Sequence, residues 1–267
     1  MAVLTLFFKT VRASSNAAGQ RRVHRHLRFE PLENRRMLAT FTVTNLADAT
    51  VNGPNSAPGT LRQAIYDANS ASDPDTIVFA PNLTGDLRLS VADDSAVGLS
   101  ALLVTSPITI KRDISAPYMR FFRVALGGDL TIDSLNITTG LTVGDNGAPG
   151  QGGGTAFGGA IYNQGNLQVS NSTLYNNSTI GGDAGTGGLS GPAHGGAIFS
   201  DGGSVTIVNS TLSGNSAKNG NGPRVALSFG GGLYIKNGSL TIDNSTITNG
   251  LAGSGREIYV IALGARQ

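Results

Sequence analysis

One phrase is written three times in this chain and once more in shortened form. Gly158–Asn177 reads GGAIYNQGNLQVSNSTLYNN, Gly195–Asn215 reads GGAIFSDGGSVTIVNSTLSGN, and Gly230–Gly250 reads GGGLYIKNGSLTIDNSTITNG. Asp129–Gly140, DLTIDSLNITTG, keeps the second half alone. Aligned on the first apolar residue of that half, Leu130, Leu167, Val205 and Leu240 recur at intervals of 37, 38 and 35, the spacing of a solenoid. Two residues on come Ile132, Val169, Ile207 and Ile242, with polar Thr131, Gln168, Thr206 and Thr241 between. That alternation is the period of a half-buried strand. A strand so short cannot bury its apolar side alone, so the copies must stack, each strand pairing with its counterpart in the next copy. The expected class is therefore all-β, a parallel β-coil.

A third apolar position, Ile137, Leu174, Leu212 and Ile247, follows a polar corner written Asn171-Ser172-Thr173, Asn209-Ser210-Thr211 or Asn244-Ser245-Thr246. The corner turns the chain from one sheet to the next. Stacked Asn171, Asn209 and Asn244 are expected to bond up the column as an amide ladder, since an amide both donates and accepts. The earliest copy has Ser134 and Leu135 here instead.

Before the repeats, Thr60-Leu61-Arg62-Gln63 has the spacing of a capping box, and Leu61, Ala64, Ile65 and Ala68 form one apolar stripe. This predicts a short helix, ended by Asp73-Pro74, that lies as a lid on the N-terminal end of the coil. Thr76–Phe79, Leu87–Val91, Leu102–Thr105, Ile108–Lys111 and Phe121–Ala125 read as strands of irregular first coils. The expected organisation is a basic leader over 1–40 and a folded domain over 41–267. Within the domain the cap covers 41–75, irregular coils 76–128, repeats 129–250 and a C-terminal end 251–267. Between the copies lie glycine-rich stretches, Leu141–Phe157, Ser178–His194 and Ser216–Phe229, expected to project from one point of each coil as a flexible, polar side.

Charge is divided along the chain. The leader holds eight Lys/Arg against Glu30 and Glu33, a balance of +6, leaving 11 basic and 15 acidic residues, or −4, for the rest. The overall +2 thus belongs to a tail, and nucleic acid is not expected as a partner. Ala2–Phe8 is too short an apolar run to span a bilayer. Without cysteine, the chain has no disulfide, Cys-ligated metal or thiol nucleophile. The glycine runs complete no dinucleotide fingerprint and carry no phosphate-loop lysine. No cofactor or metal is expected.

Two resemblances add to this reading. Arg28–Ala39, with Leu32-Glu33, Arg35 and Met37-Leu38 on its motif positions, resembles the LEPR-XLL-type N-terminal segment of bacterial surface and extracellular proteins, and implies export. Phe41–Gly250 resembles surface proteins of the CSLREA-associated and polymorphic-outer-membrane-repeat kind, through Gly59, Leu61, Arg62, Ala64, Ile65, Ala68, Asn69, Asp75, Ile77 and Phe79 and the repeats. This second resemblance implies a right-handed parallel β-helix of the pectate-lyase-like superfold, placed outside the cell or on its surface. It implies no reaction, because that architecture carries enzymes, adhesins and spacers alike.

Groups suited to catalysis are sparse. His194 is the single histidine beyond the leader, and Asp133 and Asp243 share a repeat position at opposite ends of the array. No residue is assigned a catalytic role. Two ligand-binding candidates stand out. Tyr162, Phe199 and Tyr234 recur at one position and should stack as an aromatic ladder, serving either as packing or as a platform whose flat faces suit pyranose rings. Arg112, Arg120 and Arg123, with Lys111, form a basic cluster that either guards strand edges by charge or suits an anionic polysaccharide. The leading expectation is a non-enzymatic extracellular or cell-surface β-helix serving adhesion or polysaccharide binding. The alternatives are a polysaccharide lyase or glycoside hydrolase, and an ice- or crystal-surface binder using the row Thr131, Thr206 and Thr241, which Gln168 interrupts.

Overall fold

The computed structural model describes residues 39–70, 75–91, 96–97, 101–105, 108–255 and 257–261, all in the unit Arg36–Gln267. The leader before Ala39, the Asp73-Pro74 helix stop and Asp93-Asp94 lie outside the described residues. The rest is a parallel β-helix. One face holds seven strands: Thr40–Val43, Asp75–Phe79, Ala101–Thr105, Asp129–Asp133, Asn166–Ser170, Ser204–Val208 and Ser239–Asp243. A second face holds six, ending in Asn136–Thr138, Thr173–Tyr175, Thr211–Ser213 and Thr246–Thr248. A third also holds six, among them Phe122–Val124, Ile161–Asn163, Ile198–Asp201, Leu233–Lys236 and Ile258–Ile261. Copies pair in parallel and in the register of the repeat: Leu130, Leu167, Val205 and Leu240 align, as do Ile132, Val169, Ile207 and Ile242.

Those columns are the core. Leu167, Val169, Leu174, Val205, Ile207 and Leu212 are all essentially inaccessible to water. Each contributes about 1.5–3 kcal/mol by burial. The third face also sends polar groups inward. Asn163 and Ser200 are fully buried, and Asn163 donates to the Ser200 hydroxyl at 2.9 Å and the Gly165 carbonyl at 3.0 Å.

The Asn-Ser-Thr corner divides its labour. Asn171, Asn209 and Asn244 adopt left-handed backbone angles, φ 49°, 49° and 43°, which asparagine tolerates better than most residues. Their amides form the expected ladder. Asn244 donates to Asn209 at 2.6 Å, Asn209 to Asn171 at 3.5 Å, and Asn171 to the Asp133 carboxylate at 2.6 Å. The serines turn inward. The Ser172 hydroxyl accepts from the Leu135 N–H, that of Ser210 from Ser172 N–H, and that of Ser245 from Ser210 N–H, at 3.0–3.1 Å. A second, fully buried ladder joins Asn177 and Asn215, whose carboxamides bond each other and the carbonyls of Ile137 and Leu174.

The predicted helix forms over Leu61–Ser70 and packs on the first two strands of the seven-stranded face, with Leu61, Ala64 and Ala68 buried. Thr60 caps it, its hydroxyl accepting from Gln63 N–H at 3.2 Å. The reciprocal half of the capping box is absent. Gln63 instead accepts from Ala57 N–H at 3.0 Å and donates to Asp67, holding the preceding loop. The buried Asp48 carboxylate pairs with Arg62 and accepts from Ser90 and Val91 N–H, fastening the helix to the coil.

The glycine-rich stretches depart from expectation. They build a fin of stacked, hydrogen-bonded chain. At its base, the sheet of Leu141–Val143, Ser178–Ile180, Ser216–Lys218 and Leu251–Ala252 closes on the pair Ala156–Phe157 and Ala193–His194 over a core of Ala156, Ala193 and Ala217. Beyond it, Gly144, Gly147, Gly150 and Gly153 N–H donate to Ile180, Asp183, Thr186 and Leu189 carbonyls at 2.8–3.0 Å. Every third N–H of this limb thus finds its acceptor in the next copy, and each limb reverses through a tight turn, Gln151 N–H to the Ala148 carbonyl and Gly188 N–H to that of Gly185, with Gly150 and Gly187 in the left-handed region. Partners also cross between limbs: Gly220 donates to Gly191, Gly191 to Gly182, and Gly182 to Gly154. The limbs lie so close that a Cβ at Gly182 would collide with the Asp145 carbonyl oxygen. Glycine here permits contact, which is why the stretch is packed where its composition suggested flexibility.

Two consequences are measurable. Ile207→Asp puts a carboxylate into the core column and should cost several kcal/mol, whereas Thr206→Asp, one residue away and outward, should leave the melting temperature nearly unchanged. Gly182→Ala should destabilise the protein by about 1–3 kcal/mol through overpacking. Gly187→Asn, at a fin-tip position with φ 77° and open space around it, should be close to neutral in the same denaturation experiment.

Candidate functional site

The outward side of the seven-stranded face carries three rows of side chains, polar except for Val208, because every second residue of a strand points away from the core. The first row is Asp129, Asn166, Ser204 and Ser239; the second is Thr131, Gln168, Thr206 and Thr241. The third, Asp133, Ser170, Val208 and Asp243, confirms that Asp133 and Asp243 are separated by two coils. Asn166 donates to Asp129 at 2.7 Å, Ser204 to Asn166 at 2.8 Å, and Gln168 to Ser170 at 3.1 Å. Between the first two rows runs a shallow groove of about 140 Å³ lined by Asp129, Thr131, Asn166, Gln168, Ser204 and Thr206.

The aromatic candidates lie on the outside of the third face. Tyr162, Phe199 and Tyr234 occupy successive register positions and stack with ring centroids 5.4 and 5.2 Å apart; Tyr259 extends the column by a further 5.2 Å. A second column, Phe157, His194 and Phe229, stands against the first where the fin leaves the coil. Phe157 meets Phe199 at 4.5 Å, His194 meets Tyr234 at 4.7 Å, and Phe229 stacks on Tyr259 at 4.3 Å. The two columns close into a seam. Phe199 and Tyr234 are buried within it, their faces taken by neighbouring rings, while Tyr162 stays half-buried at its head.

The basic candidates separate. Arg120 lies over the Tyr162 ring, 5.2 Å from its centroid, and Arg123 sits beside Tyr162 in the parallel register of the third face. Arg112 belongs to the second face, where it donates to the carbonyls of Asp113 and Ala116 and approaches Tyr118. Lys111 is paired with Asp86. The structure thus gathers Arg120, Arg123 and Tyr162 and leaves Arg112 apart. Burial raises the Tyr162 hydroxyl above its ordinary value, and Asp201 adds to this, with Arg120, Arg123 and Lys236 opposing.

Sequence reasoning missed Phe157, His194 and Phe229 as a column, although the signal was present. Each immediately precedes a Gly-Gly pair, at the same intervals of 37 and 35 that relate Tyr162, Phe199 and Tyr234. Tyr259 carries no such signal, since the repeat phrase has ended. Among the described residues no group of three or more His, Asp or Glu is placed to hold a metal, and no helix is long and apolar enough to cross a membrane. No family model, curated protein or solved structure matches this chain.

Burial among rings lowers the His194 imidazole below its ordinary 6.5, with the Ala193 backbone opposing in part. The unfolded chain therefore takes up this proton more readily than the folded one. The stability that His194 contributes is complete above the unfolded value and lost as pH falls through the lower folded value. Thermal melts should show stability declining as pH drops below 6.5, the ordinary histidine value. His194→Phe, which continues the ring column, should flatten that decline; equal slopes for both proteins would contradict the assignment.

Proposed function

We propose that this chain is a non-catalytic β-helix module that acts outside the cell or at its surface and binds polysaccharide along its polar outer face. The observation that carries the reading is the groove between the first two outward rows. Its hydroxyl and amide groups recur once per coil, a periodic set of donors and acceptors suited to the hydroxyls of an extended glycan. Apart from Asp129 the groove is lined by neutral side chains. An acidic unit of such a glycan would be held at Arg120 and Arg123, beside Tyr162.

The engagement of the carboxylates supports a passive role. Asp129 accepts from Asn166, Asp133 from Asn171, Asp183 from Asn221 N–H and Asp201 from Lys236, so each is occupied in joining one coil to the next. A glycosidase instead sets two carboxyl groups across one bond. The resemblance of Arg28–Ala39 to an export segment, and of Phe41–Gly250 to bacterial surface repeats, supports placement outside the cell.

The full chain, tested by affinity electrophoresis in gels containing neutral or acidic polysaccharides, should be retarded by at least one of them without shortening it. Thr131→Val combined with Thr206→Val removes two hydroxyls from the groove. At about 0.5–1.5 kcal/mol per hydrogen bond, the pair should weaken retention roughly tenfold at an unchanged melting temperature. Turnover of a polysaccharide, or retention indifferent to both substitutions, would overturn the reading.

A further inference from the structure

We propose that the groove of the seven-stranded face takes a neutral, β-1,4-linked polysaccharide lying along the coil axis with one sugar on each coil; the assignment rests on the glycan-binding reading above and narrows it to one class of chain. Register supplies the first argument. The strands Asp129–Asp133, Asn166–Ser170 and Ser204–Val208 pair in parallel without offset, so Thr131, Gln168 and Thr206 align along the axis, as do Asp129, Asn166 and Ser204. The groove between these rows therefore runs from coil to coil, and its lining repeats at the interstrand spacing of ~4.8 Å. A pyranose chain joined through equatorial bonds at both ends of each ring is an extended ribbon, and each sugar advances it by nearly that distance. Glucans wound into helices by α-1,4 or β-1,3 linkage advance less per sugar and lose step with the coils.

The placement of donors and acceptors supplies the second. In such a ribbon each sugar is turned over relative to the last, so opposite edges of the ring alternate along either side of the chain. A site that follows the ribbon needs a polar group on both sides at every step. Each coil of the groove provides that pair: Asp129 with Thr131, Asn166 with Gln168, and Ser204 with Thr206. Apart from Asp129, every one of these side chains both donates and accepts, so it bonds whichever edge arrives. The first row is held in place beforehand, Asn166 donating to Asp129 at 2.7 Å and Ser204 to Asn166 at 2.8 Å.

Charge selects against acidic chains. The outward positions of these three strands include Asp129 and Asp133 and contain no lysine or arginine. A uronate lying in the groove would meet carboxylates with no cation beside it, at the cost of like-charge repulsion. Arg123 belongs to the third face, so an acidic unit is accommodated only outside the groove.

Affinity electrophoresis of the full chain in gels containing hydroxyethylcellulose, galactomannan, soluble starch, laminarin or polygalacturonate tests the assignment. Retention that is lost with Thr131→Val and Thr206→Val should appear with the first two, whose backbones are β-1,4-linked and neutral, and with none of the others. In competition against hydroxyethylcellulose, cellotriose reaches all three coils and should release the protein at a concentration about fivefold lower than cellobiose, the gain of one net hydrogen bond. Gln168→Ala should weaken retention about fivefold for the same reason, at an unchanged melting temperature. Valine-sensitive retention by starch, laminarin or polygalacturonate in place of the β-1,4 polymers would overturn the linkage class and leave the groove as a glycan site. Equal competition by cellobiose and cellotriose would overturn the step of one sugar per coil. Retention by none of the five would overturn both this assignment and the reading beneath it.

Discussion

Every coil of this protein depends on the next for its backbone hydrogen bonds. A three- to five-residue strand has little stability alone, and here its partners are contributed by chain some 35–38 residues away between the repeats and 23–28 residues away in several other coils. That constraint explains why the sequence repeats: a pairing partner must present the same pattern at the same phase, or the inward and outward sides exchange. It also explains the corners. An asparagine in the left-handed region bends the chain, its amide joins the ladder outside, and the following serine accepts a backbone N–H inside. One tripeptide thereby satisfies polar groups that the bend would otherwise strand.

The same dependence operates in the fin with different chemistry. Pleated strands would need side chains to fill the space between layers, but the fin's limbs run too close for any Cβ at several positions. The limbs instead direct their N–H groups to carbonyls of several neighbouring limbs, so glycine-rich backbone packs against glycine-rich backbone. Alanines occupy the base, where the layers begin to separate. The fin in turn shapes the outer surface. Its return limb brings Phe157, His194 and Phe229 against the ladder of Tyr162, Phe199 and Tyr234, and so turns an exposed row of rings into packing.

This packing changes where recognition is best sought. A buried ring offers no free face to a sugar, and of the three candidate rings Tyr162, at the head of the seam beside Arg120 and Arg123, alone keeps partial exposure. The polar outer face requires no such exposure of apolar surface. Asp129, Asn166, Ser204 and Gln168 there are already held by hydrogen bonds within the face, so on the proposed reading little ordering of these groups would accompany binding of a glycan.

Much of the fold was legible because stacking imposes periodicity on the sequence. Alternation at Leu167-Gln168-Val169 and its copies gave strand, side and register, and the Thr60 cap with the stripe Leu61, Ala64, Ile65 and Ala68 gave the helix. The ring ladder followed from Tyr162, Phe199 and Tyr234 sharing a repeat position, and the outward threonines were legible for the same reason. What the tertiary structure alone decided concerns contacts between different positions of the repeat. The sequence could not say that the row before each Gly-Gly pair meets the tyrosine row, nor that Arg120 and Arg123 gather at Tyr162 while Arg112 turns to its own loop. Nor could composition separate packed glycine from loose glycine, since both lack a side chain to mark an inside and an outside. Periodicity records which residues stack on their own copies; it carries no record of how far the chain folds back between one copy and the next, and that distance made the seam and the fin.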